Sequence, residues 1–168
     1  MKKSAFYLIA VLASVSFFSC KSENKEKVPM EEIMEFRSTL STSDTTQMLR
    51  LCDEAMEQLK NHSYEKVLSS LYEYNDSTKE VKPLSETLMR QYRSNFETFP
   101  VLEYRRVYYS FLLEGCNDVK YEVIFATPEQ TGTDEPAKTA FMFNPVKIDG
   151  QWYLCVKTEK DKIDPYNR

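Results

Sequence analysis

The chain has 168 residues, 42% apolar and 29% charged, with a formal net charge of −4, which suits one folded domain plus some extra length at an end. Its 22 basic residues form no cluster against 26 acidic ones, so the charge balance speaks against nucleic acid as a partner. Gly115, Gly132 and Gly150 are its only glycines, too few for a loop that wraps backbone closely around phosphate, and His62 as the single histidine excludes a two-histidine metal motif.

Met1-Lys2-Lys3 supplies a positive start, Ala5 to Phe18 an apolar run of 14 residues, and Ser19 a small residue before Cys20. That is the pattern of a secretory signal, and the run is short of the roughly 20 residues a membrane-spanning helix needs. With a cysteine after the small residue, residues 1–19 resemble a bacterial lipoprotein signal, although Phe17 and Phe18 depart from its usual leucine-containing box. The resemblance implies that Cys20 is acylated and becomes the first residue of a mature chain anchored in the cell envelope, facing the periplasm or exposed on the outer membrane. Loss of residues 1–19 removes Lys2 and Lys3 and no acid, leaving 20 basic against 26 acidic residues, or −6. Cys52, Cys116 and Cys155 then remain, an odd number without C-x-x-C spacing, so at most one disulfide can form. The preferred reading is three small buried hydrophobes.

Residues 20–42 are polar and charged first, then mildly apolar through Met30, Ile33, Met34 and Phe36. The first part reads as a tether, about 15 residues with a coil reach of roughly 20 Å, and Met30 to Leu40 as a short helix docked on a domain that runs over residues 43–160. A polar tail, 161–168, follows it. Met48, Leu51, Cys52, Ala55 and Leu59 recur at three and four, predicting a helix from Thr45 to Asn61 with Asp44 and Gln47 as a capping-box pair. A second helix starts after Ser63, with Tyr64, Val67, Leu68 and Leu71 on one stripe. The stretch YEYNDSTKEVKP reads as a loop or one short strand. A third helix up to Pro100 buries Leu84, Leu88, Tyr92 and Phe96, with Met89.

Past Pro100 the period changes to two. Leu102 to Leu113 is a β-branched and aromatic run, Glu114 to Asp118 turns the chain, and Val119, Tyr121, Val123 and Phe125 alternate with Lys120, Glu122 and Ile124, predicting antiparallel strands. After a loop with Gly132 and Pro136, the runs Thr139 to Ile148 and Gln151 to Thr158 flank Asp149-Gly150, a two-residue hairpin signal because both central positions need positive φ. Counting out from that turn places Phe143 opposite Val156 and Pro145 opposite Leu154, with Phe141 and Trp152 on the same buried face. The whole is an α+β chain, N-terminal helices packed on a curved antiparallel sheet of four to six strands.

The helix leading into KNHSYEKVLSSLY and the closing hairpin FNPVKIDGQWYLCVK together resemble the nuclear transport factor 2-like superfamily, over roughly residues 43–160. The resemblance implies a cone in which the sheet wraps around the helices and leaves one end open. Some members carry out isomerase or dehydratase chemistry there, and others only bind. No catalytic pattern of the family maps onto positions of this chain, and no cofactor is implied.

Among groups that could carry chemistry, His62 lies in a polar turn beside a helix start, without a G-x-S-x-G partner motif. Asp76, Glu103 and Glu122 fall at or near strand positions, where a carboxylate facing water is the ordinary case. A recognition surface is expected on Tyr104, Arg106 and Tyr108, which the period of two places on one face, with Trp152 and Tyr153 able to join it. An arginine between aromatic rings suits a carboxylate or sulfate and a flat ligand. Asp44-Thr45-Thr46 and Asp76-Ser77-Thr78 resemble the short acceptor for O-glycosylation of exported proteins in one Gram-negative phylum. The functional expectation is a non-enzymatic envelope lipoprotein that binds a small molecule or an envelope protein. The alternatives are an isomerase or dehydratase, and an assembly subunit that forms a homodimer through its sheet face.

Overall fold

A computed structural model describes residues 29–157; the signal segment, Cys20 and the tail expected at residues 161–168 lie outside them. The first element is α1 (Met30–Ser38), whose Ile33 is buried. Its Arg37 Nε donates to the Phe111 carbonyl at 2.7 Å, so the short helix predicted at Met30 docks on the first long strand.

Helix α2 (Thr42–Lys60) begins three residues earlier than the periodicity suggests. Ser41, not Asp44, is the N-cap: its hydroxyl accepts from Asp44 N at 3.2 Å, and the Asp44 carboxylate accepts from Ser41 N at 2.9 Å, which closes a capping box over Ser41 and Asp44. Of the predicted apolar face, Met48, Cys52, Ala55 and Leu59 are buried and Leu51 is half-buried, while Met56, outside the predicted set, is buried as well. His62 adopts a positive φ of 55° in the turn to α3 (Tyr64–Ser70). Leu71, read as part of that helix's stripe, instead opens β1 (Leu71–Asn75), which pairs with β2 (Glu80–Pro83). The stretch read as a loop or single strand is therefore a hairpin, turning at Asp76–Lys79 with Lys79 at positive φ. Pro83 is tolerated because β2 is an edge strand. Helix α4 (Glu86–Thr98), capped by Ser85, buries Phe96.

Strands β3 (Glu103–Leu113) and β4 (Cys116–Ala126) turn at Glu114-Gly115, α5 (Pro128–Thr131) is one short turn, and β5 (Ala137–Ile148) and β6 (Gln151–Val156) form the last hairpin. Asp149 and Gly150 have φ of 50° and 81°. The register is the one read from the turn, Phe143 opposite Val156 and Pro145 opposite Leu154.

The six strands run β2-β1-β6-β5-β4-β3. The sheet is mixed, which corrects the antiparallel expectation: Leu71 and Tyr72 pair in parallel with Leu154 and Cys155. A contact between strands so far apart in sequence leaves no local signal. On the inner face, Val119, Tyr121, Val123, Phe143, Trp152, Leu154 and Val156 join the α2, α3 and α4 side chains in one core. On the other face Tyr74, Val146 and Cys155 make a smaller cluster with Tyr72, Val81, Ile148 and Tyr153.

Pro145 sits in an interior strand, where it cannot donate to a ladder. The β4–β5 pairing ends at Val119 opposite Phe143, and two buried asparagines take over beyond it. Asn117 Nδ2 donates to the Pro145 carbonyl at 2.8 Å, Asn117 N donates to Asn144 Oδ1 at 2.8 Å, and Asn144 Nδ2 donates to the Gly115 carbonyl at 3.0 Å. These bonds bring the β3–β4 turn against Tyr74, so closely that a Cβ on Gly115 would overlap the Tyr74 ring. Glycine is required there for space, not for its dihedral freedom.

Candidate functional site

Helix α2 carries Asp53 and Glu57 one turn apart, beside its buried stripe, and the register of β3 and β4 brings Tyr104, Arg106 and Tyr121 to them. Arg106 Nη1 donates to both Asp53 oxygens, at 2.9 and 2.7 Å, and Tyr121 Oη donates to Asp53 Oδ1 at 2.6 Å. Tyr104 Oη donates to Glu57 Oε2 at 3.1 Å, and its ring meets that of Tyr121 edge-on with centroids 5.9 Å apart. The cluster grades from wet to dry. The Asp53 and Arg106 side chains are 43% and 34% exposed, whereas Tyr121 is fully buried.

Burial, reinforced by the bond to Asp53, pushes the Tyr121 hydroxyl far above its ordinary range. Burial and the Glu57 carboxylate move Tyr104 the same way, and burial beside Asp53 raises the neighbouring Cys52 thiol. These groups therefore stay protonated at neutral pH: two hydroxyl donors, a neutral thiol, and an arginine whose charge is met by an aspartate. The arrangement favours a fixed strut between α2 and the sheet over a base or nucleophile. Tyr121→Phe should lower the unfolding free energy by about 1.5–3 kcal/mol, the range for a bond to a charged group, measurable by urea titration.

The five residues expected to form a recognition surface do not come together. Tyr104 and Arg106 do face α2. Beyond them the register slips: Arg106 is opposite Tyr121 but Tyr108 is opposite Lys120, so a β-bulge at Val107 turns Tyr108 to the other face of the sheet. Trp152 is 8% exposed in the core. Its Nε1 donates at 3.2 Å to Asp44 Oδ1, and Lys147 Nζ lies 2.5 Å from the same oxygen. Tyr153 lies on the sheet's opposite face, edge-on to Tyr72.

The remaining candidates are scattered. Asp76 pairs with Lys79 in the β1–β2 turn, and Glu122 pairs with Arg105 across β3 and β4 at 3.2 Å. Glu103 is exposed at the start of β3. His62 Nδ1 lies 2.8 Å from Tyr64 Oη in an exposed turn. Cys52, Cys116 and Cys155 are all buried thiols. Among the described residues no group of three or more His, Cys, Asp and Glu side chains could hold a metal ion.

One feature of the surface stands apart from this polar cluster. The large hydrophobic residues left exposed among those described are Met30, Met34, Val107, Tyr108 and Tyr109. All five belong to α1 and β3, two elements packed on each other, and β3 is an edge strand. The bulge contributes to this: it turns Tyr108 to the outer face of the sheet, while Tyr109, opposite Val119, points to the inner face at the open strand edge.

Comparison of the chain with family models, with characterised proteins and with solved structures returns no match.

Proposed function

We propose that the chain is a lipid-anchored domain of the cell envelope, built as a nuclear transport factor 2-like cone, that works by binding through its surface and not by catalysis. The order of elements supports the cone: three helices and a hairpin precede α4 and the long antiparallel strands, with α2 on the sheet's inner face. The signal pattern up to Cys20 supports the anchor. Among the described residues no helix is long and apolar enough to cross a membrane.

The observation that carries the binding reading is the gathering of Met30, Met34, Val107, Tyr108 and Tyr109 on α1 and β3. Single exposed hydrophobics need no explanation, but their restriction to two touching elements supports a binding role for this edge. The enzyme alternative would draw on Asp53, Tyr121 and Arg106, which hydrogen-bond one another as a strut between α2 and the sheet.

Metabolic labelling with a fatty acid tests the anchor. The native chain should take up label and Cys20→Ala should not; label retained by Cys20→Ala contradicts acylation at that residue. The domain from residue 21, exported behind an ordinary cleaved signal, should leave the membrane fraction.

A further inference from the structure

The α1–β3 surface has a position as well as a chemistry. Nine residues lie between Cys20 and Met30, the first residue of α1, and even fully extended the ten Cα-to-Cα steps span no more than about 35 Å. A domain the size of residues 29–157 has a radius of gyration of about 14 Å, hence a diameter of about 36 Å. With Cys20 held at the lipid surface, the start of α1 could reach the far side of the domain only with every intervening residue stretched. A path shorter than about 18 Å, half that diameter, keeps the start of α1 in the half of the domain nearer the membrane.

That side carries the exposed hydrophobics. Met30 and Met34, 56% and 63% exposed, are one helical turn apart on α1, and Val107, Tyr108 and Tyr109 continue the apolar character along the β3 edge. Arg37 already covers part of that edge by capping the Phe111 carbonyl. Methionine and tyrosine suit the headgroup boundary, where a ring or thioether enters apolar surroundings while polar ends and the open strand edge stay hydrated. The charges nearby are mixed. Glu31, Glu32 and Glu35 lie on α1 with Arg37, and Arg105 precedes the bulge, so the face fits a zwitterionic surface better than a strongly anionic one.

We infer that the edge of the domain formed by α1 and β3 rests on the lipid surface to which Cys20 is anchored, with Met30, Met34, Val107 and the oppositely facing Tyr108 and Tyr109 in contact with the headgroup region. The inference rests on the lipid-anchor reading and assigns the occupant of the surface on which the binding reading depends.

The test uses the full acylated chain in phosphatidylethanolamine–phosphatidylcholine vesicles containing a headgroup-level spin-labelled lipid. One fluorophore is placed at Met34→Cys. A control fluorophore is placed at Lys82→Cys on β2, the opposite edge of the sheet, five strand spacings of about 4.8 Å away. The native cysteines of the domain are buried, which directs labelling to the new site. The expected result is loss of most emission at position 34, with position 82 unaffected. Equal emission at both positions, in a protein that still floats with the vesicles, overturns the contact and leaves the anchor standing. Failure to float with the vesicles removes the anchor and the contact together. Protection at position 34 that grows with protein density, without quenching by the lipid spin label, shows a second copy on this face and also overturns the inference. In the chain labelled at position 34, Met30→Glu should abolish the quenching while flotation persists.

Discussion

Replacing Trp152 by alanine is expected to lower the unfolding free energy by about 3–5 kcal/mol, the range for emptying a large aromatic site in a core. Trp152 is 8% exposed, packs with Phe111 at a centroid distance of 6.0 Å, and lies on the inner face with Leu154 and Val156. Its removal leaves a void where β5 and β6 meet the start of α2, and it takes away a donor to the Asp44 carboxylate. Because Trp152 is the only tryptophan, its fluorescence reports unfolding of the native chain, whereas the variant must be followed by circular dichroism. Trp152→Phe should cost less, since it keeps most of the volume and loses the donor. A near-neutral Trp152→Ala would place the ring outside the core and return it to the candidates for ligand contact.

Asp44→Ala should cost about 3 kcal/mol, the lower end of the range for removing one partner of a buried ion pair, because the Lys147 side chain is 24% exposed. One carboxylate serves three elements. Its Oδ2 accepts from Ser41 N and Oγ at the start of α2, and its Oδ1 meets Lys147 on β5 and Trp152 on β6. The Lys147 bond, followed by the backbone and hydroxyl bonds of Ser41, holds the Asp44 carboxyl well below the usual carboxylate range. A group whose folded pKa is depressed adds stability above its unfolded value, about 3.9 for aspartate, and the gain disappears as pH falls through the folded value. The native chain should therefore lose stability more steeply than Asp44→Ala as pH drops below about 4, and the two should differ most near neutrality. Urea midpoints collected from pH 7 downward check both statements; parallel curves would mean that the pair contributes nothing.

Asp44 also shows where reading the sequence stops. Asp44-x-x-Gln47 reads as a capping box, yet the box the helix closes is Ser41-x-x-Asp44, three residues earlier. The choice is made by Lys147 and Trp152, which need the carboxylate and are more than a hundred residues away. By contrast, the register of the last hairpin was legible, because a two-residue Asp-Gly turn fixes every pair outward from it. The buried stripe of α2 was legible for the same reason: periodicity is local.

The polar cluster was half visible. Tyr104 and Arg106 stood out as an arginine beside aromatics, but Asp53 and Glu57 looked like the solvated side of an amphipathic helix, and Tyr121 like any inward residue of an alternating strand. Only the pairing of β3 with β4 over α2 brings them together, with Asp53 occupying the arginine that seemed free for a ligand. The bulge at Val107 had no glycine or proline to announce it, so Tyr108 was placed on the wrong face of the strand. The exposed edge of β3 comes from its place at the end of the strand order, a non-local fact that no stretch of sequence announces.

The central claim, a surface-acting domain held to a membrane through Cys20, is tested most directly by the intact mass of the protein purified from the cell envelope. The account predicts a chain that begins at Cys20 and carries the added mass of a glyceride-linked acyl modification. A chain that keeps residues 1–19, or that begins at another residue without lipid, would contradict it.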